Sequence, residues 1–301
     1  MAVIKELKND RSIVPELPEV ETVKRGLERV TLNQSIQGGD VLLPRTVAHP
    51  VSVADFLAAL QGVCISHWYR RGKYLLAELS SISVSTQNSV TSRGWLGVHL
   101  RMTGQLLWLD RNQPLQKHTR VRLFLGENQE LRFVDQRTFG KMWWVPPHEQ
   151  PENIIAGLKK LGPDPFSPEF SIDYLAKQLQ NRRTPIKTAL LDQQLVAGLG
   201  NIYADEALFM SKVQPTTPCM KLNREQIERL RDRIMEVLQT AIEAGGTTFS
   251  NFLNVQGING NYGGVAWVYK RAGEPCRVCE TPLKRVKLAG RSTHFCPECQ
   301  K

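Results

Sequence analysis

The sequence predicts a multidomain α+β protein: an N-terminal β-sandwich with flanking helices, a helical domain, and a C-terminal zinc ribbon. Short strand-like runs crowd the stretch from residue 73 to 145, helical periodicity dominates the region after residue 151, and two C-x-x-C pairs close the chain. At 301 residues the chain is long enough for more than one domain with its own core.

The strand runs fall at residues 73–79, 96–109, 120–125, 130–134 and 142–145, separated by turn residues, a pattern of sandwiches and barrels. A Ser/Thr-rich, nearly uncharged stretch at residues 80–94 interrupts them and reads as a hairpin excursion, a tolerated insertion. Val145-Pro-Pro-His-Glu-Gln-Pro151 is the clearest linker. Helices are predicted on both sides of the strands. Val20, Val23, Leu27 and Val30 recur at helical spacing near the start. Ile227, Leu230, Ile234, Val237, Leu238 and Ala241 do so later, with Asn223 as N-cap, Gln226 three residues on, and Gly245-Gly246 as the stop.

Of six cysteines, four form Cys276-x2-Cys279 and Cys296-x2-Cys299. Two such knuckles match a structural site with four thiolates set tetrahedrally around one Zn2+. The intervening stretch from Leu283 to Phe295 alternates and carries Ala289-Gly290 at a hairpin turn. Cys64 and Cys219 stand alone and read as unreactive thiols.

A formal charge of +10 and a pI near 9.4 call for a polyanionic partner, nucleic acid before membrane, since no apolar run approaches spanning length. Without a signal peptide at the start, the cytoplasm is the expected location.

Val14-Pro15-Glu16-Leu17-Pro18-Glu19-Val20-Glu21 looks like the start of a protein placed fourteen residues in. A free N-terminal proline is a secondary amine that can attack an electrophilic carbon and form an iminium with no N–H to lose. Internally, Pro15 has only an amide nitrogen. Residues 1–14 carry no motif, and Val14 stands where a GUG initiator codon would be. The working protein is therefore expected to begin at Pro15.

Pro15–Glu21, Arg71-Gly-Lys73-Tyr, His99-Leu-Arg-Met-Thr-Gly104, Asp135-Gln-Arg137-Thr-Phe139-Gly140, Gly198-Leu-Gly-Asn201-Ile-Tyr-Ala-Asp-Glu206 and the closing ribbon, in this order, closely resemble the bacterial formamidopyrimidine-DNA glycosylases. The resemblance runs from residue 15 to 301, with only residues 1–14 and the insertion at 80–94 outside it. It implies a β-sandwich hinged to a helix–two-turn–helix domain, with DNA bound in the cleft between. The implied layout is an extension at 1–14, a catalytic sandwich at 15–146, a hinge at 147–153, a DNA-binding helical domain at 154–246, a lesion-capping loop at 247–267 and the ribbon at 268–301.

The resemblance also implies an activity: excision of oxidised purines, 8-oxoguanine and formamidopyrimidines, followed by β,δ-elimination at the abasic site. Pro15 would be the nucleophile, Glu16 its proton-transfer partner, Lys73 a catalytic and phosphate-binding cation, and Glu19 a supporting carboxylate. Met102, Arg137 and Phe139 would fill the gap left by the flipped nucleotide, with Arg137 on the orphaned cytosine. Asn201 and Arg291 would join Lys73 on backbone phosphates, with Arg291 also a proton donor for elimination. The implied partner is double-stranded DNA with oxidised purines opposite cytosine, bound by a monomer carrying one structural Zn2+. Two other readings stay open: a non-catalytic binder of damaged DNA if Pro15 is internal, and a pyrimidine-lesion glycosylase resembling endonuclease VIII. Leu17, where that relative has glycine, and the Gly-rich stretch after residue 245 favour the purine branch. Arg101 stands where a glycine is common in the family.

Overall fold

The computed structural model describes residues 14–82, 90–247, 255–258 and 260–301. The tip of the predicted 80–94 excursion, the core of the lesion-capping loop at 248–254, and residues 1–13 lie outside the described residues.

Helix α1 (Leu17–Thr31) follows Glu16 directly. The sandwich is then built from β1 (Ile36–Val41), β2 (Val47–His49), α2 (Val53–Leu60), β3 (Cys64–Arg71), β4 (Tyr74–Ile82), β5 (Val90–His99), β6 (Gly104–Asp110), β7 (Thr119–Leu125), β8 (Gln129–Asp135) and β9 (Lys141–Val145). One sheet runs β1-β7-β8-β6 and the other β2-β9-β5-β4-β3. Their inner faces meet over Ile65, Trp68, Leu96, Val98, Leu106, Val121, Leu123 and Phe133, and Val20, Val23 and Leu27 of α1 complete that core. The predicted run 96–109 is two strands, β5 and β6, in different sheets. Residues 100–103 cross between the layers, and Arg101 adopts a positive φ of 55° to make the turn. The 80–94 excursion begins as a continuation of the β4–β5 hairpin, with Ser80 opposite Ser92 and Ser81 opposite Thr91.

Short helices α3 (Pro151–Ile154) and α4 (Ala156–Lys159) come next, α3 starting inside the segment expected as a hinge. Ile155 and Leu158 pack on Tyr74, Leu76 and Val145 of the sandwich, so the connection is fastened to the outer face of the five-stranded sheet. Then follow α5 (Ile172–Leu179), α6 (Ile186–Leu190), α7 (Asn201–Met210) and α8 (Arg224–Glu243). Asn223 and Gln226 form the predicted capping box on α8, and its apolar stripe is buried as expected. α7 is buried on every side from Ile202 to Phe209, as a helix at the centre of a small bundle must be. β10 (Lys284–Leu288) and β11 (Arg291–Phe295) form the ribbon hairpin, and Ala289 and Gly290 both take positive φ at its turn, 45° and 79°.

α1 belongs to both halves of the molecule. Leu17 is buried in the helical core with Leu199, Ile202 and Tyr203, while Val20, Val23 and Leu27 lie in the sandwich core. Pro15 and Glu16 therefore stand where the domains meet.

Candidate active site

Two glycines let α1 approach α7 this closely. Gly198 has φ +88°, accepts a hydrogen bond from Leu17 N–H at 3.0 Å, and a Cβ there would lie 2.8 Å from Leu17. At Gly200 a Cβ would lie 2.2 Å from Glu16 Cδ. The gap created by that missing carbon holds the Glu16 carboxyl, which accepts from Ile202 N–H at 3.1 Å and Tyr203 N–H at 3.4 Å. The N-terminus of α7 thus meets an anion supplied by the chain itself. Asn201 turns elsewhere, its amide donating to Ser292 O at 3.1 Å.

Glu16 is 3% exposed. Burial pushes its carboxyl from the usual 4.5 up to about 7, against the opposing pull of Lys73 and the two backbone N–H groups. A carboxyl with that affinity can give and take a proton near neutrality. Burial also lowers the half-buried Lys73 ammonium, while Glu16 and Glu19 hold it up. Both partners shift toward their neutral forms, so desolvation outweighs their mutual attraction. Gly72, with φ +56°, makes the tight β3–β4 turn just before Lys73 and lies close to Ala197 and Gly198, where an added Cβ would be 3.3 and 3.4 Å away. Arg291, exposed at the start of β11, is close enough to depress Lys73 further.

Glu19 is fully buried and fully engaged. One oxygen accepts Glu16 N–H at 2.9 Å; the other accepts Tyr203 Oη at 2.6 Å and Thr247 N–H at 2.9 Å. It positions its neighbour Glu16 and fastens the residue that precedes 248–254. Burial raises its carboxyl too. His99, opposite Tyr74, is held neutral by burial, its pKa lowered to about 3, and its Nδ1 accepts Arg101 N–H at 2.9 Å.

Met102, Arg137 and Phe139 come together on neighbouring crossover loops, some way from Glu16 in sequence yet on the same domain. Phe139 is 50% exposed and the Arg137 guanidinium lies 5.0 Å from its ring centroid. Half-buried Met102 sits on the adjacent loop.

Several residues here carry no local signal in the sequence. Lys187 Nζ donates to Ser292 O at 2.7 Å and Thr293 Oγ1 at 2.9 Å while pairing with Asp205 at 2.6 Å, with Lys187, Asp205 and Thr293 buried. Asp205 also accepts His294 N–H at 2.9 Å. Glu206 accepts three successive backbone N–H groups, from Trp267, Val268 and Tyr269, at 2.7, 3.0 and 2.8 Å. These buried groups dock the ribbon on α7 and set the backbone beside Arg291. Only the run Ala-Asp-Glu206 within the Gly198 motif hinted at them.

In the ribbon, the sulfurs of Cys276, Cys279, Cys296 and Cys299 lie within 4.8 Å of one another, several pairs at 3.4–3.9 Å. A tetrahedron with Zn–S bonds of about 2.3 Å has edges of roughly 3.8 Å, so the donor set fits a four-thiolate metal site. Val278 N–H and Cys299 N–H point at Cys276 and Cys296 sulfurs, each at 3.4 Å.

Comparison with known proteins agrees with this geometry. The formamidopyrimidine-DNA glycosylase N-terminal domain matches residues 14–142, its H2TH domain residues 161–252, and the zinc finger found in FPG and IleRS residues 273–301. The formamidopyrimidine-DNA glycosylase of Nostoc punctiforme is 68% identical over 287 residues, 95% of this chain and 96% of that protein. That of Trichodesmium erythraeum is 63% identical over 300 residues, 96% of this chain and 100% of its own. Lactococcus lactis Fpg, solved in complex with DNA containing an abasic site, is 34% identical with a TM-score of 0.83, covering 95% of this chain and 99% of that one. The same enzyme solved with Fapy-dG-containing DNA superposes with a TM-score of 0.83 at 34% identity, covering 95% and 100%. Among the described residues no helix is long and apolar enough to cross a membrane. Three matching domains in order, together with relatives identical at two positions in three, place this chain in the formamidopyrimidine-DNA glycosylase family of base-excision-repair DNA glycosylases.

Proposed function

We propose that this glycosylase is bifunctional, removing oxidised purines opposite cytosine and then cleaving the strand through a Schiff base on Pro15. The observation that carries the reading is the Glu16 carboxyl, buried directly after Pro15 and raised to about 7. The reaction requires Pro15 to be the N-terminal residue, since only then is its nitrogen a nucleophilic amine and not an amide. A free α-amino group titrates near about 7.7–8.0, so part of it is unprotonated at neutral pH. Its positive charge beside Glu16 would favour the carboxylate, and the two groups would share a proton.

In the proposed sequence the Pro15 nitrogen bonds to C1′ and the glycosidic bond breaks, the base departing with its electron pair and a proton. Glu16 protonates the ring oxygen, opening the sugar and leaving an iminium. The iminium acidifies C2′; loss of that proton expels the 3′ phosphate, and a second elimination expels the 5′ phosphate. Hydrolysis of the iminium returns the amine. Lys73 and Arg291 hold the phosphates flanking the sugar, and Arg291 also gives a proton to a leaving oxygen. Asn201 supports Arg291 through Ser292 O and contributes to holding the DNA backbone. Met102, Arg137 and Phe139 fill the vacated stack. Cys276, Cys279, Cys296 and Cys299 would hold one Zn2+, which would keep the hairpin folded and take no part in the chemistry. The working enzyme is read as a cytoplasmic monomer on duplex DNA.

Borohydride trapping on duplex DNA with 8-oxoguanine opposite cytosine tests this reading. A covalent adduct is expected there, and a weaker one on an oxidised pyrimidine. Tight binding without any adduct would leave a damaged-DNA binder instead, and preferential trapping on the pyrimidine lesion would reassign the substrate.

A further inference from the structure

The two crossover loops that carry Met102, Arg137 and Phe139 start and end at paired positions. Gly104 pairs with Asp135 across β6 and β8, and His99 with Lys141 across β5 and β9. Between those pairs, residues 100–103 and 136–140 cross from one sheet to the other side by side. Ordinary ladder hydrogen bonds stop at the crossing, so something else must hold the loops together.

That something is one carboxylate. Asp135 is 1% exposed, and its Oδ1 accepts the Thr103 hydroxyl and, at 3.2 Å, the Arg137 N–H. Its Oδ2 accepts Gly140 N–H at 2.7 Å. Thr103 Oγ1 in turn accepts Arg137 N–H at 2.9 Å, closing a ring between the loops. The Asp135 main chain is pinned as well, its N–H on His118 O at 2.9 Å and its carbonyl under Arg120 Nε at 2.8 Å. Space allows no slack: a Cβ on Gly140 would lie 2.5 Å from Phe133 Cζ, and one on Gly104 2.4 Å from Leu100 O.

We propose that Asp135, acting with Thr103, is a positioning residue that latches these loops into a single rigid wedge, so that Met102, Arg137 and Phe139 enter the duplex together. Neither residue touches DNA chemistry; each acts through the side chains it orients. This rests on the proposed gap-filling role of those three residues. Pre-ordering the wedge removes the entropy of arranging three side chains on two loops at the moment of insertion. It also ties recognition of the orphaned base by Arg137 to the seating of Met102 on the other loop.

The test uses the full chain and Asp135→Asn, which keeps one acceptor and turns the other into a donor facing a donor. Thr103→Val and Thr103→Ser accompany it. Insertion is read from 2-aminopurine fluorescence beside an abasic-site analogue in duplex DNA. Trapping on a single-stranded abasic site, which has no stack to fill, reports the chemistry alone. Asp135→Asn and Thr103→Val are expected to lose most of the insertion signal and at least tenfold in cytosine discrimination, with single-strand trapping within twofold of wild type. Thr103→Ser is expected to restore both. Normal insertion in Thr103→Val and Asp135→Asn overturns the latch, and so does a parallel loss of single-strand trapping in Thr103→Val, which would make the carboxylate a general support of the fold. An absent insertion signal in wild type would instead remove the gap-filling reading, which the variants alone cannot do.

Discussion

Gly200→Ala isolates the placement of Glu16 from everything else in the site. The backbone at Gly200 is extended, with φ −133° and ψ −163°, so alanine introduces no dihedral strain. Its Cβ, however, would lie 2.2 Å from Glu16 Cδ and 2.4 Å from Oε1. Ordinary contact requires the carboxyl to withdraw by about 1 Å or more. The bonds from Ile202 and Tyr203, at 3.1 and 3.4 Å, would then pass beyond hydrogen-bonding reach. Loss of two net hydrogen bonds costs about 1–3 kcal/mol of stability. Misplacement by about 1 Å costs on the order of 100-fold in rate, or ~2.7 kcal/mol of barrier. Gly198→Ala is the control: φ is +88° and the neighbour is Leu17, so it strains the backbone and the helical core without touching Glu16. Single-turnover excision of 8-oxoguanine, read beside thermal unfolding, separates the two. Gly200→Ala should lose about 100-fold in the chemical step with DNA affinity nearly intact, while Gly198→Ala should mainly unfold earlier. A Gly200→Ala rate within threefold of wild type would refute the placement argument.

Stability should fall as pH rises from about 4.5 to 7, because Glu16 binds its proton more tightly folded than unfolded; a rise from 4.5 to about 7 corresponds to ~3 kcal/mol, present below the lower value and lost through the upper. Glu16→Gln should flatten that decline in thermal melts, and an unchanged slope would contradict it. Arg101→Gly should stabilise the protein by roughly 1 kcal/mol, since a side chain at φ 55° costs about 1–2 kcal/mol and glycine returns part of that as chain entropy; denaturant unfolding reads the difference. Cys296→Ser should lower zinc content and DNA affinity together; full metal occupancy with unchanged binding would show the ribbon to be dispensable.

What could be read from the sequence was whatever is encoded locally. The cysteine spacing and Ala289-Gly290 fixed the ribbon hairpin, and Asn223 with Gln226 marked the start of α8. β1 was not legible because Gly38-Gly39 interrupts any alternation, nor β3, whose register shifts between Ile65 and His67. The break between β5 and β6 was hidden because both flanks are apolar and the turn is made by Arg101, not a usual turn residue. α7 shows no stripe because it is buried all round. The structure brings Glu16, Glu19, Lys73 and Arg291, taken from separate stretches of the chain, close enough to act on one another's charge. The groups that hold them are paired across long separations: Lys187 with Thr293, 106 residues apart, and Tyr203 with Glu19, 184 apart. Periodicity and spacing carry no record of such pairs.

Peptide mapping of the borohydride-trapped adduct tests whether the Pro15 nitrogen is the nucleophile, as proposed. Protein from the native gene would be reacted with 8-oxoguanine DNA, reduced, digested and sequenced by mass spectrometry. A single modified peptide that begins at Pro15, with the sugar remnant on its N-terminal nitrogen, is the expected result of that assignment. A remnant on the Nζ of Lys73, or active molecules that still begin at Met1, would contradict it.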